Sequence, residues 1–141
     1  MGVKGGKKRG TILPEDELAA YCPDLAEWPR QWRYEERDAV FGQQIVACFT
    51  PFLQHLLNSG LSPKTLRKHR DNLWLLGGEL MRALWEKPGL RKQRAAEVIT
   101  SVLDDDGGPR LSSHASEEAQ RSFDSTCHKY HRFLQEHPST G

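Results

Sequence analysis

Apolar residues in this chain recur at steps of three and four, the period of an α-helix, and no stretch alternates long enough to suggest a strand. The first long run spans Gln31 to Asn58, with Val40, Phe41, Ile45, Phe49, Phe52, Leu53, Leu56 and Leu57 on its stripe. Pro51 lies inside it and removes a donor from the helical ladder, which predicts a kink near 47–50 or a break into two helices. Asn58-Ser59-Gly60 tolerates left-handed backbone and closes the run. Ser62-Pro63-Lys64-Thr65 then opens a second run, with serine as the N-cap and proline at the first helical position. Leu66, Leu73, Leu76, Leu80 and Leu84 carry that run to about Trp85. Gly77-Gly78 inside it costs about 1 kcal/mol per residue relative to alanine, so the pair predicts either close approach of a neighbour or a bend.

The shorter patterns complete the reading. Pro14 followed by Glu15-Asp16-Glu17 predicts a short helix, with acids at the positive end of its dipole, that Cys22-Pro23 stops. Between Pro23 and Pro29 the chain reads as irregular, with Trp28 and Trp32 packing it onto the main body. After Lys87-Pro88-Gly89 a third core helix is expected from Leu90 to Leu103, burying Ala95, Val98, Val102 and Leu103. Asp104-Asp105-Asp106-Gly107-Gly108-Pro109 breaks the pattern. A last helix, from Ser113 or Ser116 to His137, carries Ala119, Phe123, Cys127, Tyr130, Phe133 and Leu134, and Pro138 ends it. The expectation is therefore an all-α fold of four core helices plus a short N-terminal one.

Length and charge refine this picture. With 141 residues the chain has room for one core, so a single domain over 14–138 is expected, between a disordered basic arm at 1–13 and a tail at 139–141. The net charge is only +1, from 20 Lys and Arg against 19 Asp and Glu, but it is unevenly spread. Residues 11–60 are acidic, and 61–100 swing basic through Lys64, Arg67, Lys68, Arg70, Arg82, Lys87, Arg91, Lys92 and Arg94. Such a block is a candidate surface for phosphate. Apolar runs such as Ile45 to Phe49 fall far short of the roughly 20 residues that span a bilayer, and no secretory signal is legible. Three widely spaced cysteines, Cys22, Cys48 and Cys127, fit reduced thiols, and a cytoplasmic location is expected.

Candidate chemistry is sparse. Cys127 and His131, four apart on one helical face, are half of a zinc site at most, and a core role for Cys127 with solvent-facing histidines is the simpler reading. There is no P-loop, nucleophile elbow or dinucleotide fingerprint, and Asp104-Asp105-Asp106 reads as a solvated loop. No cofactor, metal or enzymatic activity is expected. The better candidate is the basic start of the second long helix, where Lys64, Arg67 and Lys68 share a face away from the leucine stripe and the helix N-terminus adds partial positive charge.

The segment Phe52-Leu53-Gln54-His55-Leu56-Leu57-Asn58-Ser59-Gly60-Leu61-Ser62-Pro63-Lys64-Thr65-Leu66-Arg67-Lys68-His69 resembles the N-terminal core-binding, or SAM-like, domain of tyrosine recombinases and phage integrases. In that family a helix ends in a G-L-S-x-x-T turn, and a second helix continues as L-x-x-L-x-x-x-L, here Leu73, Leu76 and Leu80. Ser122-Phe123 through Tyr130-His131-Arg132-Phe133-Leu134 is similar to the family's closing helix, so the resemblance covers about 37–136. It implies an orthogonal four-helix bundle that clamps duplex DNA, with Ser62, Lys64, Thr65, Lys68 and His69 at the contact. The helix-face argument adds Arg67, and the rest of the basic block adds Arg91, Lys92 and Arg94. The family's catalytic arginines, His-x-x-Arg and nucleophilic tyrosine sit in a separate domain, and Tyr130 lies in the closing helix, so no strand cleavage is expected of this chain alone. The alternative is a protein-interaction module that kept the fold without binding DNA, favoured by the modest net charge and the acidic first half.

Overall fold

The computed structural model describes residues 14–138 apart from Tyr34 and Ser113. The basic arm at 1–13 and the tail at 139–141 lie outside the described residues. The order is α1 (Pro14–Tyr21), a tight turn at Leu25–Glu27, α2 (Trp28–Trp32), α3 (Asp38–Leu57), α4 (Pro63–Glu86), a turn at Pro88–Lys92, α5 (Ala95–Val102) and α6 (Glu117–Glu136). The fold is an all-α bundle, without strands among the described residues. None of the described helices is long and apolar enough to cross a membrane.

Four helices, α3 to α6, enclose one core, as their periodicity predicts. Phe49, Phe52 and Leu56 of α3 meet Leu73, Leu76 and Leu80 of α4, Val98 and Ile99 of α5 and Phe123 and Tyr130 of α6, all essentially sealed from solvent. A string of aromatic contacts binds the layers: Trp28 to Trp32 at 5.6 Å, Trp32 to Phe49 at 6.2 Å, Phe49 to Tyr130 at 5.6 Å and Tyr130 to Phe52 at 4.7 Å between ring centroids. Edge-to-face and offset geometries of this kind add to the burial of large rings.

The local signals at the helix ends hold. The Ser62 hydroxyl accepts from the Thr65 N–H at 3.2 Å, and Ser116 does the same for Ala119 at 3.0 Å, so both N-caps satisfy a donor the helix leaves open. Gly60 takes φ +73 after α3, where an L side chain is strained. Gly77 is the position of close approach: a Cβ there would stand 2.0 Å from Cζ2 of Trp32, while the same atom at Gly78 would stand 3.8 Å from that ring's Cδ1.

Three expectations need correction. The run from Gln31 is two helices, because α2 ends at Trp32 and α3 starts only at Asp38, whose carboxylate accepts from the Glu35 N–H at 3.0 Å and turns the chain. Pro51 does not break α3, which is continuous from Asp38 to Leu57. The helix expected from Leu90 to Leu103 begins only at Ala95, with the preceding turn at Pro88–Lys92 separate from it. The Glu97 carboxylate accepts from the Arg94 N–H at 3.1 Å, capping the late start.

Candidate nucleic-acid interface

The N-terminal turns of α4 are anchored before they are charged. The Tyr21 hydroxyl donates to the Leu66 carbonyl at 2.6 Å, and Arg70 donates to the Tyr21 carbonyl at 3.0 Å and to Asp71 at 3.0 Å, so α1 holds the start of α4. On the outward side Ser62, Lys64, Arg67 and Lys68 are exposed and Thr65 is half-buried. The Ser62 hydroxyl also donates to Thr65 Oγ1 at 3.1 Å, so these two hydroxyls are partly occupied with each other.

His69 departs from the expected contact. It is 4% exposed, with its Nδ1 2.7 Å from Thr126 Oγ1 on α6. Thr126 Oγ1 in turn accepts from Asn72 Nδ2 at 2.9 Å and lies 3.5 Å from the Ser122 carbonyl, to which it can donate. Burial, and after it the nearby Lys68 and Lys129 ammonium groups, together lower the pKa of His69 to about 4. His69 is therefore part of the joint between α4 and α6 and offers no broad surface to a duplex.

The same electrostatics reveal what sequence reasoning missed. Lys68 from α4 and Lys129 from α6 both act on His69, so these two cations lie near the same joint between the helices. Arg132 and Lys129 line a cleft that His69 also borders. Among the described residues, Lys64, Arg67, Lys68, Lys129 and Arg132 form no ion pair, as is also true of Lys87, Lys92, Arg110 and Arg121 elsewhere on the chain, whereas Arg30, Arg33, Arg37, Arg70, Arg82, Arg91 and Arg94 are each paired with a carboxylate. Lys129 and Arg132 are visible in the sequence as basic positions three apart on the last helix. Their register against Lys68 needs the Asn72–Thr126 and His69–Thr126 contacts.

Arg91, Lys92 and Arg94 belong elsewhere. At about 1.5 Å per residue the twenty positions from Lys64 to Leu84 separate the two ends of α4 by roughly 30 Å, and Arg91 donates to the Leu84 carbonyl at 3.4 Å. Its other nitrogen pairs with Asp38 at 2.7 Å, where the carboxylate is 1% exposed. Arg91 is thus a half-buried tie between α3 and the turn after α4. Arg94 pairs with Glu97 at 3.6 Å, and Lys92 is exposed.

The remaining candidate chemistry is structural. Cys22, Cys48 and Cys127 are free thiols, and burial pushes Cys127 well above the ordinary thiol range. No three His, Cys, Asp or Glu side chains among the described residues are placed to hold a metal, and His131 lies 3.5 Å from Asp105 in the acidic loop. A broad apolar groove of about 1050 Å³ lies between α3, α5 and the end of α6, with Ala47, Pro51, Ile99 and Leu134 among its walls. Comparison with family models, with curated proteins and with solved structures finds no match.

Proposed function

We propose that this chain is a non-catalytic duplex-DNA-binding module that uses the end of the bundle formed by the start of α4 and the middle of α6. The observation that carries the reading is that Lys68 of α4 and Lys129 of α6 both lie near the buried His69, with Arg132 on the cleft beside it. The exposed Lys64 and Arg67 extend the positive charge along the first turns of α4, Arg67 on the side facing α1. Cations already held by carboxylates release few counterions on meeting DNA, while unpaired ones can neutralise phosphates directly. The helix start at Ser62 adds its dipole to the same end. The resemblance of 37–136 to recombinase core-binding domains points to the same ligand and links the module to DNA integration or recombination.

Electrophoretic retardation of a short duplex at low salt tests the proposal. The wild-type chain retards it, Lys68→Glu with Lys129→Glu abolishes the shift, and Lys92→Ala at the far end leaves it intact. Absence of any wild-type shift refutes DNA binding. In that case the second reading, a protein-interaction module, gains weight, and the apolar groove between α3, α5 and α6 is the observation in its favour.

A further inference from the structure

Between the end of α3, the start of α4 and the outer face of α6 lies a cleft of about 400 Å³. Its walls are rich in hydrogen-bond donors: His55 from α3, the edge of His69 from α4, and Ser125, His128, Lys129 and Arg132 from α6. Glu136 is the single carboxylate on its rim and forms no ion pair with Arg132 or Lys129 among the described residues. Lys68 stands close enough to His69 to add its field.

Several features set this cleft apart from an ordinary charged surface. The Nδ1 of His128 is buried without a hydrogen-bond partner, a condition native proteins seldom leave unanswered. The His55 ring is exposed and lies against aromatic neighbours, 6.2 Å from Phe52 and 4.9 Å from Phe133 between centroids. The histidines are not grouped as metal ligands, and the ammonium and guanidinium groups beside them would repel a cation. Two cationic side chains against one carboxylate, with imidazole and hydroxyl groups beside them, suit a compact anion with several acceptor oxygens.

We infer that this cleft binds one phosphate group, either free or as the terminal phosphate of a nucleic acid. The guanidinium of Arg132 and the ammonium of Lys129 supply charge, and the imidazoles of His55 and His128 with the Ser125 hydroxyl supply directed hydrogen bonds. The inference shares a face with the proposed duplex contact but does not depend on duplex binding, because inorganic phosphate alone probes it.

The test is a titration of the full chain with inorganic phosphate, followed by histidine ring resonances in NMR at constant ionic strength maintained with chloride. Saturable shifts of His55 and His128 are expected, with binding about tenfold weaker in Arg132→Ala and in Lys129→Ala. Both replaced side chains are solvent-accessible, and an unchanged circular dichroism spectrum establishes that the variants fold. Shifts that do not saturate, or that chloride alone reproduces, overturn the inference whatever the duplex result. A second arm compares duplexes bearing a 5′-phosphate or a 5′-hydroxyl. Tighter binding of the phosphorylated duplex, lost in Arg132→Ala, assigns the site to a nucleic-acid end, and equal binding with the phosphate titration intact assigns it to free phosphate. Loss of all duplex binding with that titration intact overturns the DNA reading and leaves this one standing.

Discussion

His69 on α4 and Thr126 on α6 meet at 2.7 Å through the imidazole Nδ1 and the threonine hydroxyl, inside the bundle. Asn72 extends the same joint, reaching Thr126 Oγ1, the Ser122 carbonyl at 3.0 Å and the Ser122 hydroxyl at 3.1 Å. Buried polar groups so connected fix one register between two helices. That register brings Lys68 and Lys129 to the same place.

The joint carries a pH signature. The unfolded His69 takes up a proton near 6.5, whereas the folded one resists until about 4, because burial and two neighbouring cations oppose its charge. In that window the unfolded state binds more protons, so the contribution is full above 6.5, falls as pH drops and is gone below about 4. The shift is worth about 3 kcal/mol. Urea denaturation at pH 7.5 and 4.5 is expected to show His69→Gln losing about 2–3 kcal/mol less than wild type over that interval. Equal losses in the two proteins would show that His69 does not set the acid limit.

Gly77 and Gly78 are neighbours with opposite expectations. The Trp32 indole is pinned by its N–H to the Trp74 carbonyl at 2.9 Å and by Phe49, so it cannot retreat from a methyl at 77. Gly77→Ala is expected to destabilise by about 2–3 kcal/mol through overpacking. Gly78→Ala meets only an ordinary contact with that ring and gains helix propensity, for a change between zero and about 1 kcal/mol of added stability. Chemical denaturation of the two variants checks the contrast.

Asp38 and Arg91 predict a separation of stability from binding. Arg91→Gln removes the cation paired with a carboxylate that is 1% exposed, at an expected cost of about 3–5 kcal/mol. Thermal denaturation reads that loss, and under conditions where the variant remains folded its DNA affinity should stay at the wild-type value. A variant that keeps its stability and loses DNA would return Arg91 to the interface.

Periodicity revealed the four core helices and both serine caps because 3.6-residue spacing and capping chemistry are local. The split between α2 and α3 was not legible, since it depends on the Asp38 carboxylate turning back on Glu35. The resemblance places His69 at a surface contact, although it lies three residues after Leu66, four before Leu73 and seven before Leu76, on the leucine stripe itself. Its own spacing carried the correct signal, and a basic neighbourhood in the sequence obscured it. Lys129 could not be joined to Lys68 from sequence, because their shared nearness to His69 arises from packing between elements about 60 residues apart. The length of α4 likewise divides a basic block that is continuous in sequence into two ends of the molecule.

The most direct measurement of the central claim is the salt dependence of duplex affinity, read by fluorescence anisotropy for wild type and for the triple variant Lys64→Ala, Lys68→Ala, Lys129→Ala. Each phosphate contact contributes a slope of about 0.9 in log affinity against log salt. The account predicts saturable wild-type binding that weakens with salt, and a slope shallower by roughly 2–3 in the variant with its fold intact. An unchanged slope in the folded variant, or wild-type affinity insensitive to salt, would contradict the assignment of this end of the bundle to DNA.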